Sequence, residues 1–253
     1  MTMHRRLLFA VILPCLSLAA ANADAPARAD ADQVSVLDCA RLLDPAAGKM
    51  LGETSLIVEN GQIKEMHAGT IDIEPYRKAA VAAGKPFQYI KMADATCMPG
   101  LIDAHTHLTS QFSKSTYSDQ FRLNPADYAI RSTVYAKRTL LAGFTTVRNL
   151  GDDDNESIAL RNAINAGIVP GPHVFSAGQF IGTTGGHADG TDGYRWSLQG
   201  DPGPKDGIIN SPADAWKAVR QHYKDGADLI KIMPSGGVLD ESSSAENPQM
   251  TLE

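Results

Sequence analysis

The chain has 253 residues, 43% hydrophobic and 21% charged, with 23 Lys+Arg against 29 Asp+Glu and a formal net charge of −6. That composition fits a soluble globular protein of one large or two smaller domains. An acidic balance without a basic cluster argues against nucleic acid or an anionic membrane as partner.

At the N-terminus, Arg5 and Arg6 precede an apolar run from Leu7 to Ala20, and Ala21-Asn22-Ala23 offers small residues for cleavage before Asp24. This pattern predicts a secretory signal peptide over residues 1–23 and an exported, periplasmic or extracellular protein. An uncleaved anchor is the alternative, but the run is short of the about 20 apolar residues of a membrane span. Cys15, behind Pro14, makes a poor lipid-attachment site. Loss of the two leader arginines takes the net charge to −8 and leaves two cysteines, Cys39 and Cys97. An oxidising compartment would allow them to pair. Nothing in the sequence places them together, however, so two separate thiols are expected.

Residues 24–33, rich in Ala and Asp, read as disordered. From Val34 the pattern turns to strand: Val34–Leu37, Ser55–Glu59 and Gln62–Met66, the last two flanking Asn60-Gly61. An Asn-Gly pair between strand-like runs predicts a hairpin, because its tight turn needs positive φ at both positions. Residues 74–83 suit a short helix stopped by Gly84 and Pro86, after which Phe87–Ile90 lead on. Residues 24–97 are therefore expected to form a small β-domain.

Pro99-Gly100-Leu101-Ile102-Asp103-Ala104-His105-Thr106-His107 reads as a short apolar strand ending in two histidines. Strand side chains alternate, so Asp103, His105 and His107 should share one face. Two imidazoles one pleat apart suit a single zinc, iron or nickel ion, and Asp103 is placed to steady a ligating ring. Taken alone, such a pair often arises by chance. The polar stretch after His107 puts it at the strand's C-terminal end, which carries the chemistry in a parallel β/α barrel.

After His107 a cap opens each helix, a glycine closes it, and an apolar strand follows. Asn124-Pro125 opens the first helix, with Ile130, Val134, Lys137 and Leu141 at helical spacing and Gly143 ending it before Phe144–Val147. Asp154 or Asn155 opens the second, with Ile158, Ala159, Ala163 and Ile164 on its apolar side, before the strand His173–Ala177. Ser211-Pro212 opens the third, with Trp216, Val219 and Tyr223 as its expected buried face, before a fourth strand at Leu229–Met233. The order strand, helix, strand predicts a parallel sheet. Four strands are half of an eight-stranded barrel, and Thr251 reads as the cap of a helix that does not follow. The expected fold class is α/β: residues 98–253 as the first half of a (β/α)8 TIM-type barrel, preceded by part of a small β-sandwich.

The His105/His107 stretch, Gly143–Gly151, Thr184–Asp189 and Ala227–Met233 together resemble the metal-dependent amidohydrolase superfamily, in particular its imidazolonepropionase-like branch and Xaa-Pro dipeptidase members. Asn149 departs from the pattern, which leads one to expect aspartate there. The resemblance implies metal-assisted hydrolysis of an amide bond, with two divalent ions, zinc by expectation, bridged by a carboxylated Lys231. His105 and His107 would complete this chain's metal ligands. It also implies that His187 serves as a catalytic and substrate-binding group at the scissile carbonyl. From the residues alone, Lys231 could instead snorkel to the strand end, and His187 could be an ordinary loop histidine. Arg148 either binds a substrate carboxylate or braces nearby loops, and Asp152-Asp153-Asp154 reads as a solvated helix entry.

A small-molecule or dipeptide substrate is the expected partner, and a homo-oligomer stays open. The substrate alternative is a cyclic amide opened by an imidazolonepropionase-type reaction; the other alternative is an inactive remnant. Alone, the 253-residue chain is expected to be inactive and poorly behaved, with bare sheet edges and an incomplete metal centre.

Overall fold

The computed structural model describes residues 32–238 and 244–251, so the expected leader lies outside the described residues. The first sheet is built from β1 (Val34–Asp44), β2 (Lys49–Leu51), β3 (Thr54–Glu59), β4 (Gln62–Ala68) and β5 (Phe87–Cys97). β1 is its centre, antiparallel to β2 and β3 and parallel to β5. The β3–β4 hairpin turns at Asn60 (φ 53°) and Gly61 (φ 72°), the left-handed pair the sequence predicts. A parallel neighbour needs a crossover, and α1 (Glu74–Ala82) supplies it between β4 and β5.

Cys39 and Cys97 form a disulfide with Cα atoms 5.8 Å apart, which overturns the expectation of separate thiols. The parallel register slips between Cys39 and Arg41, bringing the end of β5 back over β1. Around the bridge, Cys39, Leu42 and Leu56 are buried, with Leu37, Leu51 and Met92 packed against them. Asp38 is buried beside them, its carboxylate accepting from Ser55 Oγ at 2.6 Å and Tyr89 OH at 2.5 Å.

The second sheet is parallel, in the order β6 (Leu101–Thr106), β7 (Phe144–Asn149), β8 (His173–Ser176). After β6 comes a single turn, α2 (Thr116–Asp119), then α3 (Pro125–Leu141) leads to β7 and α4 (Glu156–Asn165) to β8. A capping box between Asn124 and Asp127 starts α3, with Asn124 N donating to Asp127 Oδ2 at 2.9 Å. Beyond β8 lie α5 (Trp196–Gln199) and α6 (Pro212–Asp225). In α6, Ser211 Oγ accepts from Asp214 N, and Gly226 (φ 87°) ends the helix. One face of this sheet packs on α3 and α4 through Leu108, Ala136, Val147, Leu160, Ile164 and Val174. The other face is open: Leu101, Ile102 and Phe175 are exposed.

Two further expectations are corrected here. Leu229–Met233 forms no strand, only a bridge between Ile232 and Ile181. Asp228 N donates to Ser176 O, but Gly178 (φ 62°) then turns the neighbouring segment, and contact resumes only where Ile181 N meets Lys231 O at 2.9 Å. The ladder is thus broken between its two ends. On α6 the buried residues are Ala218 and His222, whereas Trp216 is 67% and Tyr223 86% exposed. Helical spacing identifies an apolar face but not whether anything packs on it.

Candidate metal centre at the end of the first parallel strand

β6 starts where Gly100 lies against Thr145, a spot where any Cβ would collide with that side chain. Leu101 N donates to Gly143 O at 2.8 Å, and the strand then runs parallel to β7 as far as Thr106. His105 is in the strand and His107 one residue beyond it, their ring centroids 5.4 Å apart. Asp103 steadies this end through the backbone: its Oδ1 accepts from His105 N at 3.0 Å.

Protonation at the two rings follows from their neighbours. His107 Nδ1 lies 3.0 Å from the Gly151 carbonyl oxygen, which only accepts. Nδ1 therefore carries the hydrogen, and Nε2 of the neutral ring is left with its lone pair. His105 is held below its usual pKa, first by the surrounding protein's exclusion of water, then by the positive charge of Lys231, with His107 and Arg148 adding to it and Asp103 opposing. Both effects favour the neutral imidazole that a metal requires.

Lys231, Arg148 and Asp103 thus fall in one electrostatic neighbourhood with the histidine pair. Lys231 is half-buried and placed by the bond from Ile181 N to its carbonyl. Its neighbours Ile230 and Ile232 are exposed, so the expected apolar surroundings are only partly present. Arg148 is exposed at the end of β7, and its carbonyl accepts from Thr106 Oγ1 at 3.0 Å. His187 sits on a loop folded by Asp189, whose carboxylate accepts from Gly185 N and Thr191 N. His187 is exposed and does not line the cleft beside His107.

That cleft, of about 530 Å³, runs from His107 between α3 and the start of α4. Tyr128, Arg131 and Tyr135 face it from α3, and Asp152, Glu156 and Phe180 from the other side. The helix entry is not solvated, contrary to expectation: Asp152 and Glu156 are both buried. Asp152 Oδ2 accepts from Ser157 Oγ and Ser157 N, while Oδ1 has no partner. Burial and the adjoining Asp152 push the Glu156 carboxyl up to about 8. A run of acids before a helix gives no sign of this in sequence, because the burial comes from the neighbouring strands and α3.

A divalent ion fits the donors present in part. His105 and His107 offer two neutral imidazoles on one side, with Lys231 beside them. Among the described residues no group of three His, Cys, Asp or Glu comes together. This chain's described residues therefore account for a share of a metal centre.

Comparisons with known proteins follow the same outline. The model of the amidohydrolase family matches residues 96–253. A crystal structure of a Xaa-Pro dipeptidase with methionine bound in its active site is similar at 36% identity and a TM-score of 0.77, over 86% of this chain and 51% of that one. A prolidase crystallised with N-methylphosphonate-L-proline matches at 27% identity and a TM-score of 0.70, over 86% and 50%. Ochratoxinase of Aspergillus niger is 27% identical over 77% of this chain and 47% of its own length. The chain spans about half the length of the relatives it matches.

Proposed function

Since this chain belongs to the amidohydrolase family, we propose that it contributes His105, His107 and Lys231 to the metal centre of a hydrolase that cleaves amide C–N bonds, with Xaa-Pro dipeptides as the substrate class. The observation that carries the reading is the pair of imidazoles 5.4 Å apart with Lys231 acting on one of them. Similarity to a Xaa-Pro dipeptidase and a prolidase supports the substrate class.

A bound divalent ion would supply Lewis acidity toward the scissile carbonyl and the attacking water. The chain's own residues prepare for it. Gly151 O keeps the His107 hydrogen on Nδ1, and Lys231 helps keep His105 neutral. As a carbamate, Lys231 would bridge a second ion. The cleft beside His107 would take the substrate, its wall of Tyr128, Tyr135 and Phe180 excluding water from one side. Arg148 stands near His105 as a partner for a substrate carboxylate, and His187 keeps its proposed role as donor to the scissile carbonyl.

The sheet order β6-β7-β8 with α3 and α4 on one face supports reading residues 98–253 as barrel strands and helices, with residues 24–97 as part of a β-sandwich. Export, periplasmic or extracellular, is supported by the Cys39–Cys97 bridge, since such bonds persist in oxidising compartments.

The test is metal analysis of the purified chain after incubation with zinc, with His105→Ala, His107→Ala and Lys231→Ala beside it. Each variant should lose most of the bound zinc, and labelled bicarbonate should mark Lys231 only in the parent. A full metal complement in all three variants rejects the centre. Where activity is present, faster turnover of cyclic amides than of Xaa-Pro dipeptides would reject the substrate class.

A further inference from the structure

Asn149 occupies a position where the resemblance leads one to expect aspartate, and it is fully buried at the end of β7. Its amide orientation follows from its partners. Leu108 N, a donor only, lies 2.6 Å from Asn149 Oδ1. Asn149 Nδ2 therefore faces Gly151 O at 3.3 Å and Asp152 Oδ2 at 3.5 Å, both acceptors. The Gly151 carbonyl is the same oxygen that receives His107 Nδ1. One side chain thus grips the residue after His107 and, through a shared carbonyl, the ring of His107 itself.

We propose that Asn149, paired with Asp152, is the positioning residue for His107: it fixes the Gly151 carbonyl that sets the ring's tautomer and turns Nε2 outward as the ligand. An aspartate at 149 would still accept from Leu108 N. Its second oxygen would then face two acceptors, the Gly151 carbonyl and the Asp152 carboxylate, in a buried place where unrelieved repulsion is costly. In this chain the amide at 149 and the carboxylate at 152 are complementary, and Ser157 completes the carboxylate's bonding from α4. Partners that orient ligating histidines typically change metal affinity by about 10–100-fold when altered.

The metal part of this inference rests on the function proposed above; the tautomer part does not. The experiment reads both, using nitrogen NMR of the imidazole rings and competition for zinc against a chelator. Asn149→Asp should remove the Nδ1–H preference of His107 and weaken zinc binding by about 10–100-fold. The exchange Asn149→Asp with Asp152→Asn should recover most of both, because donor and acceptor are again opposed. Val147→Ala, a cavity in the same strand away from these groups, should melt earlier with tautomer and zinc affinity unchanged. Should Asn149→Asp not fold, Asn149→Ser, smaller and uncharged, gives the same comparison. Retention of the tautomer and of zinc affinity in the Asn149 variants overturns the proposal. So does an exchange variant that regains its melting temperature without the tautomer. If His107→Ala binds zinc as tightly as the parent, the metal reading falls, and the tautomer comparison alone decides the positioning role.

Discussion

The two sheets reach stability by different routes. The first wraps neighbours around both edges of β1 and is cross-linked from β1 to the end of β5. Its apolar cluster of Cys39, Leu42 and Leu56 is small, and covalent closure adds to what that cluster supplies. The second has no cross-link and rests on α3 and α4 with one face only. Its other face keeps Leu101, Ile102 and Phe175 in the open, on the sheet whose C-terminal end carries His105 and His107. The lesson is a division of labour: one sheet is secured against itself, and the other leaves a side uncommitted where the chemistry collects.

The largest expected effect breaks the packed face of the second sheet. Leu160→Ala removes a side chain only 2% exposed and should cost about 2–5 kcal/mol in urea unfolding. Ile102→Ala, at a residue 70% exposed, should change stability by less than about 0.5 kcal/mol. Equal costs would mean that the open face is covered in solution. Next in size is the staple of the first sheet. Cys97→Ser should lower stability by about 2–4 kcal/mol. Hydrogen exchange should speed up over residues 34–97 and stay unchanged over 101–176; uniform acceleration would show that the two sheets unfold as one.

A smaller effect sharpens the contrast through pH. Glu156, at the start of α4, has its carboxyl raised to about 8 from an ordinary 4.5. The native state holds a proton that the unfolded chain releases above about 4.5. The stabilising contribution is therefore complete below about 4.5 and is lost as pH rises through about 8. Urea midpoints should decline across that window, and Glu156→Gln should flatten the decline. A parent protein whose midpoint is level from 4.5 to 8 would show that Glu156 ionises in its folded place.

Local chemistry was legible in the sequence where it decides local structure. Asn60-Gly61 announces its hairpin, Asn124-Pro125 and Ser211-Pro212 announce helix starts, and Gly226 announces a stop. The His105/His107 pair is legible for the same reason, since two residues on one strand need no tertiary information to be neighbours. The nearness of Lys231 to that pair came only through the resemblance, because no spacing rule spans so much chain. The Cys39–Cys97 bridge was missed because it depends on a parallel register between strands separated by a hairpin and a helix. Burial of Asp152 and Glu156 was missed because it depends on what packs over the helix entry. Trp216 and Tyr223 failed in the opposite sense: their periodicity is real, yet nothing among the described residues covers them. Leu229–Met233 has strand composition, but Gly178 bends the partner segment away from it.

The cross-link of the first sheet has a consequence for how the molecule comes apart. It joins residues 58 positions apart, so β2, β3, β4 and α1 lie within a closed covalent ring. A protease that cuts once in the stretch between β4 and α1 opens the ring without dividing the molecule. The nicked chain keeps its full mass until a reductant is added, and only then separates into two pieces. Damage at that surface is thus silent in the compartment where the bridge survives, and becomes a loss of the whole N-terminal sheet once the chain meets reducing conditions.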